Sequence, residues 1–288
     1  IRHMLLDASR CWGEVVIPAH IRLICGWAFA NGLGILSVRF LSAQVRVEAY
    51  AFRNCIFLQK IVLPGGAVIW FSGLGDREKA LPPLAKQAAI EMLNCFKTDS
   101  EGVLLECTGN IPRIQLAHGI TEIGEGVFQD GNLLTEVIFP ATITKIGKRA
   151  FAGCKWLFAV SRAWNLEYIG EQAFSCCNIL SRVELSERLR YIGPRAFENC
   201  ISLETLLLPE GIEEIPDRAF YRCHRLKYIQ FPSTLRRIGQ EAFAFCRVLN
   251  VDACPMPEET VVEDRAFYGA GVDCAEPEEN EEEDELEE

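Results

Sequence analysis

The 288-residue chain has little that would let it bind a metal, a phosphate or a membrane. Its four histidines, His3, His20, His118 and His224, are scattered, and none of its 13 cysteines stands in a Cys-x-x-Cys pair. The ligand spacing of a zinc site is missing, so no metal is expected. No G-x-S-x-G, Walker A or H-E-x-x-H motif occurs, and Gly124-x-Gly126 lacks the third glycine of a phosphate loop. No catalytic residue and no cofactor are therefore expected, and the chain reads as non-enzymatic. No run of 18 uncharged apolar residues exists, so no helical membrane span is expected. Positive charge is in deficit: 29 Lys+Arg face 40 Asp+Glu, a net of −11. Phosphate affinity is built from Lys and Arg, so a nucleic-acid partner is disfavoured. The deficit is local. Residues 276–288 hold ten acidic side chains and no basic one, leaving residues 1–275 at a net of −1. Like charges in such a block repel and stay solvated, so this end reads as a disordered acidic tail. There is no N-x-S/T sequon.

What the chain does have is repetition, the feature that decides a fold before any other. An Ala-Phe pair (Val-Phe once) ends at Phe29, Phe52, Phe128, Phe151, Phe174, Phe197, Phe220, Phe243 and Phe267, and from Phe128 to Phe243 the step is always 23. Five residues before each Phe stands Ile or Val, usually followed by Gly; three residues after six of them stands Cys, at 55, 154, 177, 200, 223 and 246. Six residues after the Phe an extended run begins, as in LQKIVLP (58–64), LTEVIFP (134–140), LETLLLP (203–209) and LKYIQFP (226–232). Its last apolar positions alternate, as a half-buried strand requires, and the closing Pro cannot donate to a ladder. The I-G-x-x-A-F-x-x-C segment reads as a short helical turn returning the chain on the opposite side. One such unit cannot bury its apolar side alone, so the units must stack.

The unit I-x-F-P-x-x-I-x-x-I-G-x-x-A-F-x-x-C-x-x-L resembles the BspA-type leucine-rich repeat, common in bacterial proteins and some protists. The resemblance covers about three quarters of the chain. It implies a right-handed solenoid or horseshoe of parallel strands with short helical turns on the convex side. It also implies protein–protein interaction or cell-surface adhesion through the concave strand face.

The register breaks between Phe52 and Phe128, and a shift of 99 residues restores it, laying 4–29 on 103–128 with Leu5 on Leu104, Ile21 on Ile120 and Phe29 on Phe128. The module therefore starts twice. Each start reads as a strand, a turn and a first repeat strand, forming a hairpin that covers the open edge of an array. The expected organisation is a first array over 1–66, a linker over 67–102 with a helix at 84–96, a main array over 103–273 and the acidic tail 274–288. Expected strands are 12–17, 35–40, 58–63, 111–116, 134–139, 157–162, 180–185, 203–208, 226–231 and 249–254, with Asp252 marking the last as a cap.

Inward strand positions are fixed by packing, so partner contacts belong to the outward positions eight and ten residues after each Phe. The face proposed for a protein partner is Lys60, Glu136, Ile138, Arg182, Glu184, Thr205, Leu207, Tyr228 and Gln230. These are mixed in sign and size, with no aromatic stripe for sugars or bases. Sixteen residues after successive Phe come Glu167, Arg190, Glu213 and Arg236, an expected ladder of alternating charge. The repeat cysteines read as small buried hydrophobes, because parallel side chains in a stack suit disulfide geometry poorly. The expected protein is a monomer that binds a protein partner; the alternative is a structural or regulatory spacer within a longer chain. The resemblance leans towards a secreted or surface protein, and the unpaired cysteines towards a reducing interior.

Overall fold

The protein is described from a computed structural model covering residues 4–5, 7–8, 10–42, 44–48, 50–53, 55, 57–70, 96–98, 102–107 and 113–271. Residues 84–95 of the helix expected over 84–96 and the tail 274–288 lie outside the described residues, and Phe96 begins a strand, Phe96–Thr98. Each repeat forms one coil of a β-solenoid, and all but the last among the described coils carry two short strands.

The first strand of each coil falls where the period places it. Gly13–Ile17, Ile35–Phe40, Lys60–Val62, Arg113–Gln115, Glu136–Ile138, Ala159–Ser161, Arg182–Val183, Thr205–Leu207 and Tyr228–Gln230 are all extended. Successive coils pair in parallel at an offset of 23, for example Glu136 with Ala159 and Ala159 with Arg182. The tenth expected strand is a 3-10 turn over Val251–Ala253, closed by the Asn250 side chain accepting from the Ala253 N–H. Asp252 occupies an apolar slot there and turns out to solvent. The sulfur of Cys254 accepts the Ile229 N–H at 3.3 Å, so this end covers part of the last strand's open edge.

Val68–Trp70, in the segment read as a linker, is a strand antiparallel to both Lys60–Val62 and Arg113–Gln115. It joins the strands before and after it into one eight-stranded sheet, from Gly13–Ile17 to Arg182–Val183. Ile61, Ile69 and Ile114 sit in register across this junction and are fully buried, so the apolar core is continuous there.

The second strand of each coil, such as Lys145–Ile146 or Tyr168–Ile169, contains the apolar residue five before the Phe. These strands build a second ladder. Both module starts enter it the same way: Leu5 pairs with Ile24 and Leu104 with Ile123, in parallel, preserving the 99-residue offset. The expected starting hairpin is therefore corrected. Leu5 and Leu104 take the register position of the repeat isoleucine one coil before Ile24 and Ile123, and so pair with them in parallel. In the second module the antiparallel edge is supplied from upstream by Phe96–Thr98.

The Ala-Phe segments are stacked β-turns, where short helical turns were expected. Amides alternate between two partners. Ala150 and Ala152 donate locally to Gly147 and Arg149, while Arg149, Phe151 and Gly153 donate to Glu171, Ala173 and Ser175 of the next coil. This alternation needs a left-handed residue two before and two after each Phe, such as Arg195 (φ 55) and Asn199 (φ 59). Each such residue costs on the order of 1 kcal/mol, and the bonds to the next coil hold it. The phenyl rings stack face to face along the axis, 5.2 Å apart from Phe174 to Phe197 and 5.3 Å from Phe197 to Phe220. Beside them each repeat cysteine is buried and donates its thiol to a phenylalanine carbonyl 26 residues earlier, as Cys200 does to Phe174 at 3.2 Å. Burial pushes the thiols of Cys154, Cys177, Cys200, Cys223 and Cys246 up, to about 12 for Cys154 and Cys246. Of the expected charge ladder, Glu213 and Arg236 meet at 3.8 Å, both well exposed. Arg190 is drawn away to backbone carbonyls.

Candidate binding groove on the strand face

The nine candidate residues separate into two groups. Lys60 and Glu136 are half-buried and engaged: Lys60 Nζ lies 5.4 Å from the Trp70 ring centre, and Glu136 pairs with Arg113 at 2.7 Å. Ile138 is only 9% exposed, which corrects its assignment to an open face. It lies within the continuous sheet, flanked in register by Gln115 and Ser161. Arg182, Glu184, Thr205, Leu207, Tyr228 and Gln230 are exposed, Leu207 by 56%.

The exposed group surrounds a break in the sheet. Arg182–Val183 ends one sheet and Thr205–Leu207 begins another; the second ladder stops at the same gap, between Tyr191–Ile192 and Glu214–Ile215. In regular coils the residue after the repeat isoleucine donates its N–H to the previous isoleucine carbonyl, as Gly193 does to Ile169 at 2.8 Å and Gly239 to Ile215 at 2.7 Å. At the gap that residue is Pro216, which has no N–H. Bulk is not the deciding factor, because Glu48 and Glu263 carry side chains at this position and still donate, to Ile24 and Ile238 at 2.9 Å. The turns remain joined across the gap, with Phe197 N–H on Ala219 at 2.8 Å. The coils thus lose their ladder bonds on the strand side, where Tyr191–Ile192 and Glu214–Ile215 remain neighbours, and stay bonded on the turn side. Arg190 bridges the parted coils, its Nη1 donating to the carbonyls of Glu187 and Leu189 at 2.9 Å and of Glu210 at 3.2 Å. Its guanidinium lies over Gly211, where a Cβ would come within 2.9 Å of Cζ.

The break opens a groove of about 860 Å³ lined by both strands. Its floor includes Val183 and Leu185, which are half-buried where the equivalent Leu206 and Leu208 of the next coil are buried. Its walls carry Glu184, Glu187, Glu204 and Glu210 against one guanidinium, Arg182. Glu210 accepts from the Ser233 N–H and hydroxyl, and these bonds hold its carboxyl below the usual range. Five candidates, Arg182, Glu184, Thr205, Leu207 and Gln230, line this groove together; Tyr228 pairs in register with Thr205 beside it.

Two features escaped the sequence reading. Pro216 stands in a column where both flanking coils carry glycine, Gly193 and Gly239, and the lone proline was the available signal. Trp70, on the junction strand, packs between Lys60 and Arg113, whose charges lie 5.4 and 5.9 Å from its ring centre. No repeat motif marks Trp70, because its strand runs against the period.

A family model described as a BspA type leucine rich repeat region matches in 6 copies, over residues 8–71, 88–178 and 157–272. Among solved structures, the chain resembles a leucine-rich repeat protein of T. pallidum at 25% identity and a TM-score of 0.52, covering 58% of this chain and 78% of that one. It also resembles a leucine-rich repeat protein of Eubacterium ventriosum at 17% identity and a TM-score of 0.55, covering 92% of this chain and 66% of that one; this second likeness speaks to the fold alone. No curated protein matches the chain.

Proposed function

Because the chain belongs to the BspA-type leucine-rich repeat family, we propose that it is a non-enzymatic module for protein interaction or adhesion that holds a protein partner on its strand face. The observation that carries this reading is the groove beside Thr205–Leu207. There an apolar floor, an exposed Leu207 and several charged side chains converge on a surface that packing does not consume. Exposed apolar surface rimmed by polar groups is what interaction sites present. The turn side offers less, since its amides are spent on neighbouring coils.

The test is to pan a phage-displayed random peptide library against the full chain and against a Leu207→Asp, Tyr228→Ala double variant. Both side chains are exposed, so the variant should fold. Enriched binders lost on the double variant support the strand face; binders that hold equally to both exclude it.

A further inference from the structure

We infer that the groove between Arg182–Val183 and Thr205–Leu207 receives an extended peptide bearing lysine or arginine, added as an extra strand; this rests on the strand-face function proposed above. Three observations converge.

The first is the backbone. In other coils bonds join the chain on this side, with Phe158 N–H on Thr135 and Lys227 N–H on Glu204, both at 2.9 Å. At the gap each strand is the last of its sheet. Unpaired strand edges are templates for another chain, and here two of them face one groove.

The second is the floor. Side chains of an extended segment point alternately to opposite sides. Those pointing inward would cover Val183 and Leu185, which the parting of the coils has left half-exposed. The groove's 860 Å³ lies within the roughly 300–1,000 Å³ of ligand clefts.

The third is charge. Four carboxylates and one guanidinium line the groove. Lys227 approaches Glu204 only to 3.5 Å, at well-exposed positions. Glu210 is held ionised by Ser233. A cationic segment is attracted and an acidic one repelled, which excludes the chain's own residues 276–288 as occupant.

The experiment uses the full chain and fluorescence anisotropy with a labelled hexapeptide of alternating Lys and Val. Saturable binding is expected, weakening as salt screens the carboxylates. Glu184→Lys should weaken it roughly tenfold. Pro216→Gly, which supplies an N–H for the carbonyl of Ile192, should weaken it at least as much. Methylating alternate backbone nitrogens of the peptide should abolish it, and a Glu-Val hexapeptide should not bind. Absence of saturable Lys-Val binding, or binding indifferent to backbone methylation, overturns the inference. Glu184→Lys is at an exposed position and keeps the test intact if the Pro216 variant fails to fold. Panning separates the two levels. Library binders that need Leu207 and Tyr228 but carry no excess of Lys or Arg, and survive Pro216→Gly, overturn this inference and leave the strand-face function standing. Binders indifferent to Leu207 and Tyr228 overturn both.

Discussion

Pro216 offers no N–H to the carbonyl of Ile192, whereas Gly193 and Gly239 in the flanking coils donate to Ile169 and Ile215 at 2.8 and 2.7 Å. One missing donor coincides with a gap in both strand ladders, while the stacked turns pass across it unbroken. Pro216→Gly should restore the donor and draw the coils together. A backbone hydrogen bond contributes about 0.5–1.5 kcal/mol, and the freer unfolded chain of a glycine offsets about 0.4–1 kcal/mol. Overall stability should change little. Amide hydrogen exchange should slow over 204–207, and unchanged exchange there would show that Pro216 does not hold the gap open.

The phenylalanine stack is the part that must not be cut. Phe197 is fully buried and stacked on both sides, including across the gap. Phe197→Ala should cost about 3–5 kcal/mol in a urea titration. Phe267→Ala at the end of the stack should cost less, since that ring is half-buried with one stacked neighbour, Phe243. Equal costs would mean that the stack does not contribute as neighbouring units.

Alkaline pH should find the cysteine column. The folded thiols of Cys154 and Cys246 are raised to about 12 from 9.0 because burial disfavours the thiolate. The stability tied to them is fully present below the unfolded-state value near 9.0 and is lost as pH rises towards 12. Each thiol contributes a slope of about 1.4 kcal/mol per pH unit in that window. Cys246→Ala should lower the midpoint at neutral pH yet flatten the alkaline fall. An unchanged slope would contradict burial of that thiol as the protonated form.

Ile69 ties the two arrays through the junction strand, in register with Ile61 and Ile114. Ile69→Asp would bury a carboxylate among apolar side chains, with no partner of opposite charge in that register. Repeat proteins are coupled through nearest-neighbour interfaces. The variant should therefore unfold in two denaturant transitions where the parent shows one. A single transition merely shifted to lower urea would argue that the arrays are coupled by other means.

Much of the fold was legible because stacking demands a strict period. Ile35–Phe40 forms the strand its pattern announces, residue for residue. What was not legible is instructive. The second ladder uses strands of two residues, such as Glu214–Ile215, too short to show alternation. The turns read as helical because Ile, Phe and Cys sit at +5 and +3, while the left-handed positions that forbid a helix are filled by Arg, Gln and Asn more often than by Gly. The neighbouring coil imposes that conformation, so no local residue advertises it. In the candidate face, the alternation of Thr205, Leu207, Tyr228 and Gln230 was readable. The burial of Ile138 was not, because it depends on neighbours 23 residues away on either side. Nor was the groove, which is a relation between two coils.

The most direct measurement is a hydrogen-exchange footprint of the full chain with and without a saturating binder selected by panning. Protection confined to 182–187 and 204–210 is the predicted result. Protection instead over the turns around Phe197 and Phe220, with the strand edges unchanged, would place the partner on the opposite side and contradict the strand-face groove as the binding site.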